Sequence, residues 1–375
     1  MLRFDRNELA GAFGDLGTDL PLLIGVIAAS GLDPAGVLVM FGVMQVFSGL
    51  WYGLPMPVQP LKAFAALVIA QKLPGRVIFG GGLAIGGTML LLTLTGLIDQ
   101  LARLVPKPVV RGIQLGLALQ LTTLALREYV PADGLGGYAL AAVAFVLTVA
   151  LLGNRRWPAA LLVVALGIAY GLVFKLDFAT AQQALGVRLP AWHVPAVADI
   201  LTGAVLLALP QIPLSLGNSI LATRQVVQDH FPDRPLTVRQ ISLTYALMNL
   251  VNPFFGGFPV CHGSGGLVGH YAFGARTGGS VVLYGGLFLT LGLFFSQGFQ
   301  QLVQVFPLPI LGVLLFFEAL TLAALLRDVA STRADLLVAL LVGLLCGGLP
   351  YGYLVGLVVG TVVHYAIRRG WVGEK

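Results

Sequence analysis

Lys62 is a basic residue placed where the chain is otherwise apolar. It follows Pro55-Met-Pro-Val-Gln-Pro-Leu61 and opens the run Ala63-Phe-Ala-Ala-Leu-Val-Ile-Ala70, whereas the other Lys and Arg residues fall in loops or at the ends of apolar segments. An ammonium inside such a run is costly and is usually matched to a charge or a substrate. Lys62 therefore either lends its field to a bound anion, or snorkels to an interface or pairs with Asp15. A second stretch broken by Pro and Gly, Gly257-Phe-Pro-Val-Cys-His-Gly-Ser-Gly-Gly266, has the same character. Gln59 in the first stretch, and His262 and Ser264 in the second, either donate hydrogen bonds to an oxyanion or cap helix ends. Gly263, Gly265 and Gly266 let the backbone approach a ligand closely. A third polar group, Gln211, Ser215, Asn218 and Ser219, recurs at three- and four-residue steps and so shares one helix face. Inside a membrane, such a face turns to a partner helix or a cavity.

Two carboxylates complete the set. Asp15 lies in the polar, small-residue stretch Glu8–Asp19, close to Thr18. Like charges repel, so Asp15 is a poor direct contact for an anion. It is better suited to orient Lys62, take a coupling proton or cation, or brace the backbone. Glu318 stands in Leu314-Leu-Phe-Phe-Glu318, either as a proton-coupling residue or as a neutral, hydrogen-bonded acid.

Other chemistries are not supported. No metal-ligand spacing, nucleotide loop or nucleophile–base pair stands out, so neither an enzyme, a bound metal nor a cofactor is expected. The two cysteines, Cys261 and Cys346, both sit in apolar segments and do not make a disulfide framework. The isoelectric point near 9.5 reflects loop arginines rather than a nucleic-acid surface.

The elements that must position these residues are membrane helices. The chain is 57% hydrophobic and 10% charged, with mean hydropathy +0.91, against about 25% charged residues in a soluble domain. No signal-peptide pattern follows Arg3 and Arg6. The apolar pattern predicts an all-α polytopic membrane protein with 14 segments. They are 8–29, 34–54, 56–71, 77–99, 107–126, 138–153 and 158–174, then 199–223, 238–256, 260–274, 278–297, 307–326, 334–347 and 350–368. The third and tenth are short, as half-helices would be. With alternating spans, sixteen of the 22 Lys and Arg residues share the side of the N-terminus and five lie opposite, which predicts cytoplasmic termini.

The halves align at three anchors: Leu16-Gly-Thr18 with Leu216-Gly-Asn218, Gly53-Leu-Pro55 with Gly257-Phe-Pro259, and Pro106-Lys-Pro108 with Pro307-Leu-Pro309. Residues 1–175 and 199–369 thus read as two seven-segment repeats. Seven is odd, so the second repeat is inverted, the architecture of alternating-access transporters. Their broken helices would point N-termini at each other near the midplane, forming an anion site. Pro57 and Pro60 suit the start of such a helix.

At these residues the chain resembles the molybdate transporter family, a branch related to the sulfate permeases. The motifs are Phe13-Gly-Asp-Leu-Gly-Thr18, Pro55-Met-Pro-Val-Gln-Pro-Leu-Lys62-Ala, Pro210-Gln-Ile-Pro-Leu-Ser-Leu-Gly-Asn218-Ser and Asn252-Pro-Phe-Phe-Gly-Gly-Phe-Pro-Val-Cys-His262-Gly-Ser-Gly-Gly266. The resemblance covers nearly the whole chain. It implies a core domain (segments 1–4 and 8–11) that moves against a gate domain (segments 5–7 and 12–14) in an elevator-like cycle. It implies molybdate as substrate, with tungstate or sulfate as alternatives, held between segments 1, 3, 8 and 10. It places the protein in the cell's plasma membrane, and leaves a coupling proton or cation and a homodimer open. The chain ends six residues after Arg369, so no cytoplasmic regulatory domain of the wider sulfate-permease kind is expected. Two alternatives share the fold: a permease for sulfate or another small anion, and an anion channel. A nucleobase permease is disfavoured, because the eighth segment has no acid between Asp199 and Asp229.

Overall fold

The computed structural model describes residues 2–98, 100, 104–151, 159–175, 186–349 and 351–371; the side chains of Asn218 and Glu318 lie outside the described residues. In the first half the helices are α1 (Arg6–Ala12), α2 (Leu16–Ser30), α3 (Pro34–Tyr52), α4 (Lys62–Gln71), α5 (Gly75–Thr95), α6 (Lys107–Leu124), α7 (Gly134–Ala150) and α8 (Ala159–Phe174). A long helix, α9 (Val197–His230), opens the second half and contains π-helical turns at Ala204–Ala208 and Ser215–Leu221. It is followed by α10 (Val238–Val251), α11 (Ser264–Ala272), α12 (Gly279–Phe294), α13 (Ser296–Val305), α14 (Leu308–Ala324), α15 (Arg333–Gly348) and α16 (Gly352–Arg368). Among the described residues, five helices are by length and composition able to cross a membrane: Pro34–Tyr52, Gly75–Thr95, Lys107–Tyr129, Val197–His230 and Leu308–Val329.

Local sequence sets the helix ends. Asp33 accepts a hydrogen bond from the Ala35 amide at 3.2 Å, Pro34 fills the first helical position, and Gly53 ends α3 with φ of 60°. Thr237 and Gln240 form a reciprocal capping box on α10. The buried carboxylate of Glu8 accepts from the amides of Arg276 and Thr277 at 3.0 and 2.9 Å and of Ser280 at 3.0 Å, tying α1 to the start of α12.

Three expectations need correction. The first apolar stretch is broken at residues 13–15, between α1 and α2. An amphipathic helix, α13, lies where only a connection was expected. Its run Ser296-Gln-Gly-Phe-Gln-Gln is too polar to read as a span. The protein is also not wholly α-helical: β1 (Val58–Pro60) and β2 (Val260–His262) pair antiparallel, with Gln59 opposite Cys261. Pro57 and Pro60 therefore precede α4 instead of starting it. Each fixes its own φ and pushes the preceding residue to extended backbone, so helix forms only from Lys62.

The helices pack along one another in several close pairs. α3 lies along α12, α5 along α10 and α9, while α6 packs on α14, α15 and α16. α3 and α12 approach so closely that a Cβ on Gly42 would lie 2.8 Å from the Gly285 carbonyl oxygen. Phe41, Tyr284 and Phe288 fill this seam edge-on and are wholly buried.

Candidate functional site

Two extended segments meet at the centre, and two amides hold them. Gln45 on α3 donates to the Val58 carbonyl at 2.6 Å and accepts from the Val58 amide at 2.8 Å. Asn249 on α10 does the same for Val260, at 2.7 and 2.9 Å. One helical turn on, Ser48 donates to the Met56 carbonyl at 2.6 Å and Asn252 to the Phe258 carbonyl at 3.0 Å. All four side chains are wholly buried. A broken helix leaves backbone groups that apolar surroundings cannot satisfy, and these side chains satisfy them.

α4 and α11 start immediately after the paired strands. Their first-turn N–H groups have no acceptor within the helix and carry the positive end of the helix dipole. Between them lies a cavity of about 230 Å³, lined by Gln59, Lys62, Gln211, Ser219, Cys261 and the segment His262–Gly265, with Leu214 and Leu325 as its apolar wall. Sequence-predicted residues from three separate stretches thus meet at one place.

Several of them hydrogen-bond to one another or to the helix backbone. The Gln59 amide donates to both oxygens of Asp15 at 2.7 Å, so this donor is committed to the carboxylate. Gln211 accepts from the Phe64 amide at 3.0 Å, satisfying one first-turn N–H of α4, and donates to Ser215 Oγ at 3.1 Å. Ser215 bonds in turn to the Tyr245 hydroxyl at 2.8 Å. Gln59, Asp15, Gln211 and Ser215 therefore form a buried scaffold. Lys62, at the first position of α4 and half-buried, and Ser264, at the first position of α11, also line the cavity.

His262 is wholly buried. One ring nitrogen, Nε2, lies 2.8 Å from Thr244 Oγ1, which lies 2.5 Å from the Tyr52 hydroxyl; Nδ1 has no protein partner among the described residues. Gly263 and Gly266 are dictated by contact: a Cβ on Gly263 would overlap the Gln59 side chain, and one on Gly266 the Asp15 carboxylate. Thr18 sits half-buried on the first turn of α2, its amide on the Asp15 carbonyl at 3.0 Å, away from the cavity lining. The side chains of Asn218 and Glu318 fall outside the described residues. The sequence reading missed Gln45, Ser48 and Thr244, and gave Asn249 and Asn252 no part in the site. One signal was available: Gln45 and Ser48 stand 204 residues before Asn249 and Asn252, the offset of the Gly53–Gly257 anchor.

The whole arrangement is that of a multi-pass membrane transporter. It superimposes on the transmembrane domain of a cyanobacterial bicarbonate transporter, BicA, with TM-score 0.68 at 15% identity, over 96% of this chain and 97% of that one. It also superimposes on the murine anion transporter Slc26a9, captured in an inward-facing state, with TM-score 0.72 at 12% identity, over 100% of this chain and 70% of the other. In sequence, a family model described as molybdate transporter of the MFS superfamily matches residues 7–121 and 203–322. Molybdate transporter 2 of Arabidopsis thaliana is 35% identical, covering 87% of this chain and 80% of its own length. Molybdate transporter 1 of the same plant is 33% identical over 89% and 82%. The chain belongs to the molybdate transporter family, and it is a transporter, not an enzyme.

Proposed function

We propose that this chain imports molybdate across the plasma membrane by alternating access, holding the anion between the N-termini of α4 and α11. The observation that carries this reading is the cavity at the facing starts of two short helices, with Lys62 and Ser264 on its walls. Molybdate is a tetrahedral dianion at neutral pH. Helix ends and an ammonium offer it a positive field, and hydroxyl and amide groups replace its hydration. With about 30 Å³ per water in the liquid, the cavity has room for an oxyanion and a few waters. Sulfate has the same charge and shape and is somewhat smaller, so selection rests on cavity size and donor placement.

The matched amide clamps on Val58 and Val260 support an inverted-repeat reading, with 14 segments and with α4 and α11 as half-helices. The packing of α3 on α12 and of α5 on α9 and α10, and that of α6 on α14, α15 and α16, support a core of segments 1–4 and 8–11 that slides as an elevator against a gate of segments 5–7 and 12–14. Both termini lie on the cytoplasmic side in this reading. Asp15, held by Gln59, braces the core site, and a proton or cation accompanies the anion.

Calorimetry on purified protein with molybdate, tungstate, sulfate and uracil tests the substrate. Tight binding of molybdate and tungstate with weak sulfate binding, lost in Lys62→Ala, is expected. Sulfate binding as tight as molybdate would make the chain a general sulfate-type permease. Binding of uracil alone would overturn the oxyanion reading.

A further inference from the structure

A second cavity, of about 310 Å³, adjoins the first on the arginine-rich side of the molecule. Lys107 and Arg111 on α6 face Leu216, Gly217 and Ala222 of α9 across it. One helix passes both cavities. α9 lines the first with Gln211 and Ser219, and the second with the residues in between and just beyond. Leu325 lines the first, and Asp328, three residues on in the same short turn, pairs with Arg111 and, at 3.8 Å, with Lys107.

The charge here does not balance, since one carboxylate faces an ammonium and a guanidinium. Arg111 is largely buried, with 14% of its side chain exposed, and its three nitrogens are unequally served. One terminal nitrogen bonds Asp328 and the other donates to Gln114 at 2.9 Å, but Nε is buried with no acceptor among the described residues. The amide nitrogen of Gln114, also wholly buried, lacks an acceptor as well. Buried donors without acceptors beside an excess of positive charge call for an anion. An arginine fork fits a tetrahedral oxyanion in particular.

We propose that Lys107 and Arg111 form a second oxyanion site, a waypoint on the gate wall that receives the dianion as it leaves the central cavity, with Asp328 as the displaceable counter-ion. The proposal rests on the reading of the central cavity as the transport site. Asp328 holds the two cations in place while the waypoint is empty and yields them to a dianion of higher charge.

Crystals of the full chain soaked in tungstate, measured at the tungsten absorption edge, test both sites at once. Two anomalous peaks, one beside Lys62 and Ser264 and one beside Lys107 and Arg111, are expected. A peak at the central cavity alone would overturn the waypoint and leave the transport site standing. A peak at Lys107 and Arg111 alone would overturn the central site and, with it, the waypoint that receives the anion from there. No peak would overturn both. In solution, molybdate should bind at two per chain, falling to one in Lys107→Gln/Arg111→Gln and rising in second-site affinity in Asp328→Asn. Stoichiometry unchanged in the double variant would sink the proposal, and Asp328→Asn supplies a gain where the double variant fails to fold. With the electrostatic attraction gone, release and exchange at low molybdate should slow by about tenfold.

Discussion

A methyl group added at Gly265 would meet nothing within 4 Å, although this residue lines the central cavity. Gly265→Ala should therefore fold normally and only shrink the space for the anion. One methyl in a fitted pocket discriminates by about tenfold, so molybdate and tungstate affinity should fall by that much while sulfate affinity changes less. Competition binding of the three anions checks this, and equal losses for all three would show that size is not read at this wall. At Gly263 the same substitution meets Gln59 instead, and should displace its amide from Asp15. Gly263→Ala is thus expected to lose binding of every oxyanion together. Lys62→Ala should abolish uptake while the chain still folds, because the bonds of Gln59 to Asp15, of the Phe64 amide to Gln211 and of Gln211 to Ser215 are made by other side chains and remain. Uptake at the wild-type rate would remove Lys62 from the mechanism.

At the scale of elements, the paired strands depend on side chains borrowed from α3 and α10. Gln45→Leu would strand the Val58 amide and carbonyl, and Asn249→Leu those of Val260. Each unpaired buried group costs about 1–3 kcal/mol, so each variant should lose about 2–6 kcal/mol of stability. Unfolding in detergent, followed by tryptophan fluorescence, measures it; a loss below about 1 kcal/mol would mean that water replaces the clamp. This is also where the sequence was hardest to read. The breaks themselves were plain, since Pro55, Pro57, Pro60 and Pro259 interrupt apolar runs. A lone Gln in the middle of an apolar helix has no motif, so Gln45 gained meaning only from the Val58 backbone it touches. Likewise Gln59 and Gln211 were legible as candidates, but the hydrogen bonds that make them scaffold were not. Which end of an amide faces a carboxylate or a helix N–H depends on tertiary contacts far apart in sequence, such as Phe64 with Gln211.

For the whole molecule, the helical, multi-pass membrane character was legible because hydropathy acts over short windows. The break at residues 13–15 was not, since Phe13-Gly-Asp remains apolar enough to be read through. Movement of one helix group against the other has its own test. Lys72, at the end of α4, pairs with Glu128, in the π turn that extends α6, at 2.8 Å. Both side chains are more than half exposed, so the pair adds no more than about 1 kcal/mol, and neutralising it should leave stability unchanged. Replacing both with cysteine and bridging them with a cleavable thiol cross-linker is expected to stop uptake, which reduction should restore. The native cysteines, Cys261 and Cys346, are buried and should not compete. Full transport in the cross-linked protein would rule out sliding of α4 past α6.

The strand pairing of Val58–Pro60 with Val260–His262 also bears on how the chain is made. Its two partners are separated by about 200 residues, so the first emerges from the ribosome well before the second exists. At 5–20 residues per second, that interval is roughly 10–40 s. Throughout it, the first half holds an open strand edge and an unfinished helix start among lipids, where neither can be hydrated. The nascent first half must therefore be sheltered by the insertion machinery or kept near the bilayer surface, and neither half is expected to mature when expressed alone.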